Sequence, residues 1–340
     1  MSETILTRFL KGTISTGIGS LLTIILSTIG YIIKARWILP NELGNFILLT
    51  LIVNLTLRLS GLGLNISLTM FLAQTNNKVE KRKIINTVIY FRIIILFVAS
   101  FFALISKNIL FALFNASLFS TLIIYIPTFI LLEGHLELFR NILSGNFQFK
   151  LIGLVNIITT ISNFILLFIF VVALKLGLMG LVYARLISRV LALFFMIFTA
   201  KISFKLEFNT RKLKDLLTFG FPLYIDTVLD FLYSRTDTFL IGALLGTTEI
   251  AFYEVARQIP DGLTILYTAF QQVYFSFISK LYSNQQFKKV MDMLNHSNRL
   301  FAFFGMLGAI IAFTFGEKII GLLFSQQYLT SSVAFAILML

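Results

Sequence analysis

Long apolar runs, each closed by a short polar or charged stretch, recur from one end of the chain to the other. A bilayer core of ~30 Å is crossed by about 20 apolar residues in a helix. By that measure the pattern predicts ten spans: Thr13 to Ile33, Asn45 to Ala73, Ile84 to Ile105, Leu118 to Phe139, Leu151 to Leu174, Leu178 to Thr199, Leu216 to Leu245, Phe252 to Leu281, Leu300 to Phe315, and Tyr328 to the chain end at Leu340. Unpaired backbone groups are not tolerated in lipid, and the ~10-residue alternation of barrel strands is absent, so the spans are expected to be helices. The fold class expected is an all-α polytopic membrane protein of about ten transmembrane helices. Arg8 and Lys11 ahead of the first run look like a secretory signal. No small-residue cleavage site follows before Lys34, Arg36 and Trp37, so an uncleaved first helix is expected.

Composition agrees. With 58% hydrophobic and 13% charged residues and a mean hydropathy of +0.92, the chain cannot be a soluble globule. It has no cysteine, which excludes disulfide, thiolate and cluster chemistry. The net charge of +13 is distributed unevenly. Seventeen basic residues, among them Lys78, Lys81, Arg82, Lys83, Arg140, Arg211, Lys212 and Lys214, fall in the connections of one side. Five, Lys34, Arg36, Lys107, Lys175 and Lys318, fall on the other. Basic residues are retained in the cytoplasm, which predicts a cytoplasmic amino terminus in a multi-pass plasma (inner) membrane protein. The charge is then a topology signal that also meets lipid headgroups, and no nucleic-acid partner is implied.

The remaining six basic residues are arginines inside predicted spans: Arg58, Arg92, Arg185, Arg189, Arg235 and Arg257. Each costs at least ~2.5–3.5 kcal/mol to place in hydrocarbon, so they are expected to face a wet interior and to form an anion cavity. Asn54, Arg58, Gly61 and Asn65 follow at steps of four, three and four, one polar stripe on an apolar helix. Arg185 and Arg189, four apart, need an anion or carboxylates between them.

A weak internal repeat at an offset of 207 residues aligns Leu39 to Phe46 with Gly246 to Tyr253 and Lys81-Arg82 with Lys288-Lys289. Six helices precede the restart near Leu216, which predicts two parallel bundles, 1–205 and an incomplete 206–340, with binding between them.

Leu39-Pro40-Asn41-Glu42-Leu43-Gly44 before a helix containing Gly61-Leu62-Gly63, and then Phe219-Gly220-Phe221-Pro222-Leu223, Arg235-Thr236-Asp237, Leu245-Gly246, Tyr253 and Ala256, resemble polysaccharide flippases of the multidrug, oligosaccharidyl-lipid and polysaccharide exporter superfamily. The resemblance implies an O-antigen or capsule repeat-unit flippase that moves an undecaprenyl-pyrophosphate-linked oligosaccharide to the outer leaflet, without a cofactor, beside a polysaccharide polymerase and a chain-length regulator. It also implies bundles of twelve or fourteen helices, whereas this chain stops inside its tenth and so reads as a fragment or a truncated gene. On this reading the six arginines, with Asn54 and Asn65, bind pyrophosphate and acidic sugar groups, because a guanidinium holds a phosphate bidentately. Asp226, Asp230, Asp237 and Glu254 are candidates for coupling to protons or Na⁺; ion pairs of Asp237 or Glu254 with Arg235 or Arg257 would instead lock the bundle.

Other readings carry less. Glu133, His135 and Glu137 alternate, so only the two acids share a helical face and a metal site is not expected; Arg140, three residues after Glu137, offers an interfacial ion pair. A membrane-embedded polymerase or ligase would need a large outer loop or a nucleophile motif, and neither is present. A multidrug or cation exporter of the same fold is the nearer rival, although an arginine-lined cavity repels cations.

Overall fold

The computed structural model describes residues 23–114, 119–200 and 207–340, and the described chain is helical with no strand. Expectations on Arg8, Lys11, Lys201 and Lys205 lie outside the described residues. Helix α1 is described over residues 23–37. It is followed by α2 (Pro40–Leu59), α3 (Leu64–Gln74), α4 (Lys78–Ile105), α5 (Lys107–Phe114), α6 (Phe119–Leu122), α7 (Tyr125–Gly145), α8 (Phe149–Leu167), α9 (Gly177–Ala200), α10 (Thr210–Leu244), α11 (Thr247–Ser283), α12 (Phe287–Leu323) and α13 (Ser331–Leu338). Six of the described helical stretches are long and apolar enough to cross a membrane.

Local sequence sets the ends. Pro40 opens α2, where its missing N–H costs nothing, and Glu42 lies in the favourable first turn. Asn77 caps α4 by accepting from Val79 N at 2.9 Å, and Asn209 caps α10 by accepting from Lys212 N at 3.0 Å. α8 ends in one π-helical stretch, Phe168–Ala173, and the chain reverses at Lys175 and Gly177, both at positive φ.

Two predicted spans are corrected. The run from Asn45 to Ala73 is not one helix: it breaks at Ser60–Gly63 into α2 and α3, where Leu62 and Gly63 have φ of 48° and 72°. Every carbonyl freed at such a break needs a donor. Ser60 N bonds to the Thr56 carbonyl and Gly61 N to that of Arg58, Tyr224 Oη donates to the Leu59 carbonyl at 3.0 Å, and Arg92 Nη1 donates to the Ser60 carbonyl. Gly63 also meets another backbone, because a Cβ there would stand 2.0 Å from the Gly220 carbonyl oxygen. A Gly63→Val variant is therefore expected to lose at least ~1–2 kcal/mol to the left-handed backbone alone, plus the clash, and to unfold in detergent well below the wild-type temperature.

The second correction concerns α7, which runs on past the expected end at Phe139 to Gly145. Helix α7 packs against α2, α3, α4, α8 and α9, so it is the central helix of its bundle. The polar residues Glu133, Glu137, Arg140 and Asn141, at steps of four, three and one, therefore run through the bundle and not along its rim. Leu64, Leu68, Val88, Leu136, Phe139 and Met196 are buried in an apolar core beside this stripe. On α4, Phe97 and Phe101 point outward, 58% and 62% exposed, as lipid-facing rings do.

By internal contact the chain falls into two compact units, one ending at Thr248 and one covering Glu249–Leu340. The first holds α1 to α10. It includes a junction at Thr247, whose hydroxyl donates to Asn41 Oδ1 at 3.1 Å. In the second, α12 packs against α13 and Phe252 meets Tyr328 edge-on at 5.9 Å.

Candidate functional site: a chain of cationic cavities

Three cavities that share lining residues run through the first unit. One, of about 210 Å³, is lined by Ser27, Lys34, Thr159, Asn163, Arg185 and Arg189 among others. The next, of about 130 Å³, is lined by Asn54, Leu57, Arg58, Glu133, Leu136, Glu137, Arg140 and Arg189. The third, of about 300 Å³, takes in Arg58, Gly61, Gly63, Asn65, Glu137, Arg140, Asn141 and Tyr224. Arg189 joins the first to the second; Arg58, Glu137 and Arg140 join the second to the third.

The charges are interlocked but unequal. Glu133 Oε1 alone accepts from Arg185 Nε at 3.0 Å and Nη2 at 2.8 Å, and from Arg189 Nε at 3.1 Å. Arg185 is held further by donating to Thr50 Oγ1 at 2.6 Å and by lying over the Phe46 and Phe129 rings. Glu137 faces Arg58 at 3.5 Å and Arg92 at 3.7 Å. The adjacency of Arg185 and Arg189 is thus compensated by a carboxylate of α7. Lys34, Arg58, Arg140, Arg185 and Arg189 line these cavities against Glu133 and Glu137, five cations against two carboxylates, an excess of three. Such a lining draws anions and rejects cations.

Of the predicted site residues, Arg58, Arg185, Arg189, Asn54 and Asn65 line this chain of cavities. Arg92 does not: its side chain is 0% exposed, and it ties the carbonyl end of α2 at Ser60 to Glu137. Its charge sits where the α2 dipole favours a cation, so in this structure Arg92 holds the end of α2 behind the cavities. Replacing Arg92 by Gln is expected to cost about 2–3 kcal/mol by leaving buried polar groups unpaired, seen as a lower melting temperature with less protein in the membrane. Arg235 lies half-buried on α10 outside the residues lining these cavities. In the second unit Arg257 pairs with Asp261 in its own helix at 3.2 Å. Asp226 and Asp230 are exposed on α10, and Asp237 Oδ1 accepts from the adjacent Thr238 N at 2.6 Å. Glu254 lies half-buried on α11.

Two residues assigned from sequence to loops belong to the site. Lys34, read as an outer-loop charge, lines the first cavity. Its signal was Ser27, Gly30 and Lys34 at steps of three and four, one face of α1. Arg140, read as an interfacial partner of Glu137, lines the second and third cavities. Glu137 instead pairs with Arg58 and Arg92, and among the described residues Arg140 Nε is buried without a hydrogen-bond partner, as is Asn65 Oδ1. Polar atoms left this way beside a cavity are where a ligand gains most.

The profile of a family described as "polysaccharide biosynthesis protein" matches residues 33–333. A Shigella flexneri protein provisionally named an O-antigen transporter is 26% identical over 220 residues, 63% of this chain and 50% of that protein, so the chain spans about half the length of the curated relative it matches. Among solved structures, a lipid II flippase MurJ in an inward closed conformation superposes with a TM-score of 0.70 at 17% identity, covering 95% of this chain and 70% of that one. A multidrug resistance MATE transporter of the MOP superfamily, inward-facing, gives 0.69 at 15% identity, with 91% and 75% covered. At these identities the structures establish the fold alone: a multi-pass helical membrane fold common to MATE and MurJ proteins.

Proposed function

The chain belongs to the polysaccharide biosynthesis protein family, and on that footing we propose that it transports an undecaprenyl-pyrophosphate-linked oligosaccharide across the inner (plasma) membrane, from the cytoplasmic to the outer leaflet, for surface polysaccharide assembly. The observation that carries the reading is the excess of three cations along one chain of cavities inside an apolar bundle. A diphosphate brings negative charge and many acceptor oxygens, and Arg58, Arg140 and Arg189, which line the second cavity together, supply forked donors for it. Asn54 and Asn65 add neutral donors for bridging oxygens or sugar hydroxyls.

The mechanism is alternating access between the bundles 1–205 and 206–340, the lipid tail staying in the bilayer while the head group crosses. No bond is made or broken, so the protein acts as a transporter and not as an enzyme. The seventeen-to-five partition of loop charges favours a cytoplasmic amino terminus. Arg235 and Arg257 would meet the head group at a later stage of the cycle. Asp226, Asp230, Asp237 and Glu254 would couple it to an ion gradient; loss of gradient dependence in an Asp226→Asn, Asp230→Asn double variant is the expected result, and full retention would reject that role. A polymerase and a chain-length regulator acting on the same glycan are the expected neighbours.

Efflux of an organic cation, the second reading, rests on the shared fold with MATE transporters and is opposed by the charge of the cavities. Reconstitution separates the two. Vesicles holding the protein should render a fluorescent lipid-linked oligosaccharide accessible to a glycosidase on the far side, faster than protein-free vesicles. Cation uptake without glycolipid movement would reverse the assignment.

A further inference from the structure

We infer that the cavity around Lys34 is a separate subsite for an oxyanion carried on a sugar, a uronate carboxylate or the phosphate ester joined directly to the sugar; this rests on the glycolipid reading above. The second cavity contains both carboxylates, each already engaged with arginines. The Lys34 cavity differs in kind. Among the described residues no carboxylate lines it, and none lies within 4.0 Å of the Lys34 ammonium. Lysines at the ends of spans ordinarily carry the ammonium to the surface, whereas this one turns inward over the Tyr31 and Phe46 rings at 6.0 and 5.8 Å. Phe46 also carries Arg185 on its ring, at 5.9 Å, so one aromatic side chain positions two cations beside the cavity.

The rest of the lining is neutral and hydroxylic. Ser27, Thr159, Thr160 and Asn163 face Lys34, Arg185 and Arg189 across about 210 Å³. Hydroxyl and amide groups that both donate and accept suit the alternating needs of sugar hydroxyls, while an ammonium with three rotatable donors suits a single oxyanion in their midst. Inorganic diphosphate needs no such wall, and the second and third cavities offer it forked guanidiniums instead. Arg189 borders both compartments, so one ligand with its diphosphate among Arg58, Arg140 and Arg189 can extend its sugar toward Lys34.

Calorimetric titration of the full chain in lipid nanodiscs with pyrophosphate, glucuronate, glucose 1-phosphate and glucose tests this. At least one of the sugar anions should bind and glucose should not; which anion binds identifies the source of the oxyanion. Lys34→Gln should weaken the sugar anion by roughly tenfold, the worth of one charge-assisted hydrogen bond, and pyrophosphate by clearly less. Arg36→Gln, which removes the same charge outside the cavity, should leave the ratio of the two affinities as in wild type. Equal weakening of both ligands by Lys34→Gln, equal effects of the two variants, or pyrophosphate binding with no sugar anion binding would overturn the subsite and leave the glycolipid reading in place. Sugar-anion binding at Lys34 without pyrophosphate binding would do the reverse, and no binding of either would reject both.

Discussion

Glutamine at both Arg185 and Arg189 is expected to lower the affinity for inorganic pyrophosphate by at least about a hundredfold and to abolish glycolipid translocation. Arg189 contributes charge-assisted hydrogen bonds worth ~1.5–3 kcal/mol directly and Arg185 adds its charge from the adjoining cavity, while tenfold in affinity is about 1.4 kcal/mol. The loss is compounded by Glu133. In the parent protein its Oε1 is saturated by the two arginines; in the double variant it stands in the cavity as an uncompensated negative charge and repels the ligand. Because both arginines share that one oxygen, their effects should not add, and either single variant should show more than half of the double variant's free-energy loss. Titration of purified protein gives the affinity, and a melting curve shows whether the bundle remains folded. Wild-type affinity in the double variant would remove this cluster from the binding site.

The converse change, Glu133→Gln, has an effect of opposite sign on binding. It leaves Arg185 and Arg189, one turn apart on α9, facing each other across a neutral amide. The half-buried character of the pair places the expected cost at roughly 2–3 kcal/mol, below the ~3–5 of a fully buried pair. The same change raises the excess of cations along the cavities from three to four, so pyrophosphate should bind more tightly and return most of the lost stability, since a ligand stabilises by RT ln(1 + [L]/Kd). Melting with and without pyrophosphate reads both effects at once. The variant should melt lower than wild type alone and gain more from the anion. A variant that melts as the wild type does, or gains less, would make Glu133 a mere surface partner.

Much of this architecture is legible in hydropathy. The spans, their helical nature and the inward stripe of Asn54, Arg58, Gly61 and Asn65 follow from period and composition, since lipid leaves a long apolar segment few alternatives. The break within that stripe does not follow. A window average sees Asn45 to Ala73 as uniformly apolar, whereas Gly63 is fixed by the approach of the Gly220 backbone and the broken end by Arg92, contacts remote in sequence. The same limit hid the role of α7. Its Glu133, Glu137 and Arg140 lower its hydropathy and drew its predicted end back to Phe139, so that Arg140 fell into a loop; packing against five neighbours puts that polar face at the centre. Arginine in a span signals function, but it cannot distinguish Arg189, which lines a cavity, from Arg92, which closes a helix. That difference depends on which carbonyls the backbone leaves open.

The most direct test of the central claim is an experimental structure of the protein with an undecaprenyl-pyrophosphate-linked sugar bound. Both phosphorus atoms are expected within about 4–5 Å of guanidinium nitrogens of Arg58, Arg140 or Arg189, the separation that hydrogen-bonded phosphate oxygens impose. Phosphorus density outside the chain of cavities that these residues line, with Glu133 and Glu137 holding the arginines undisturbed, would contradict it.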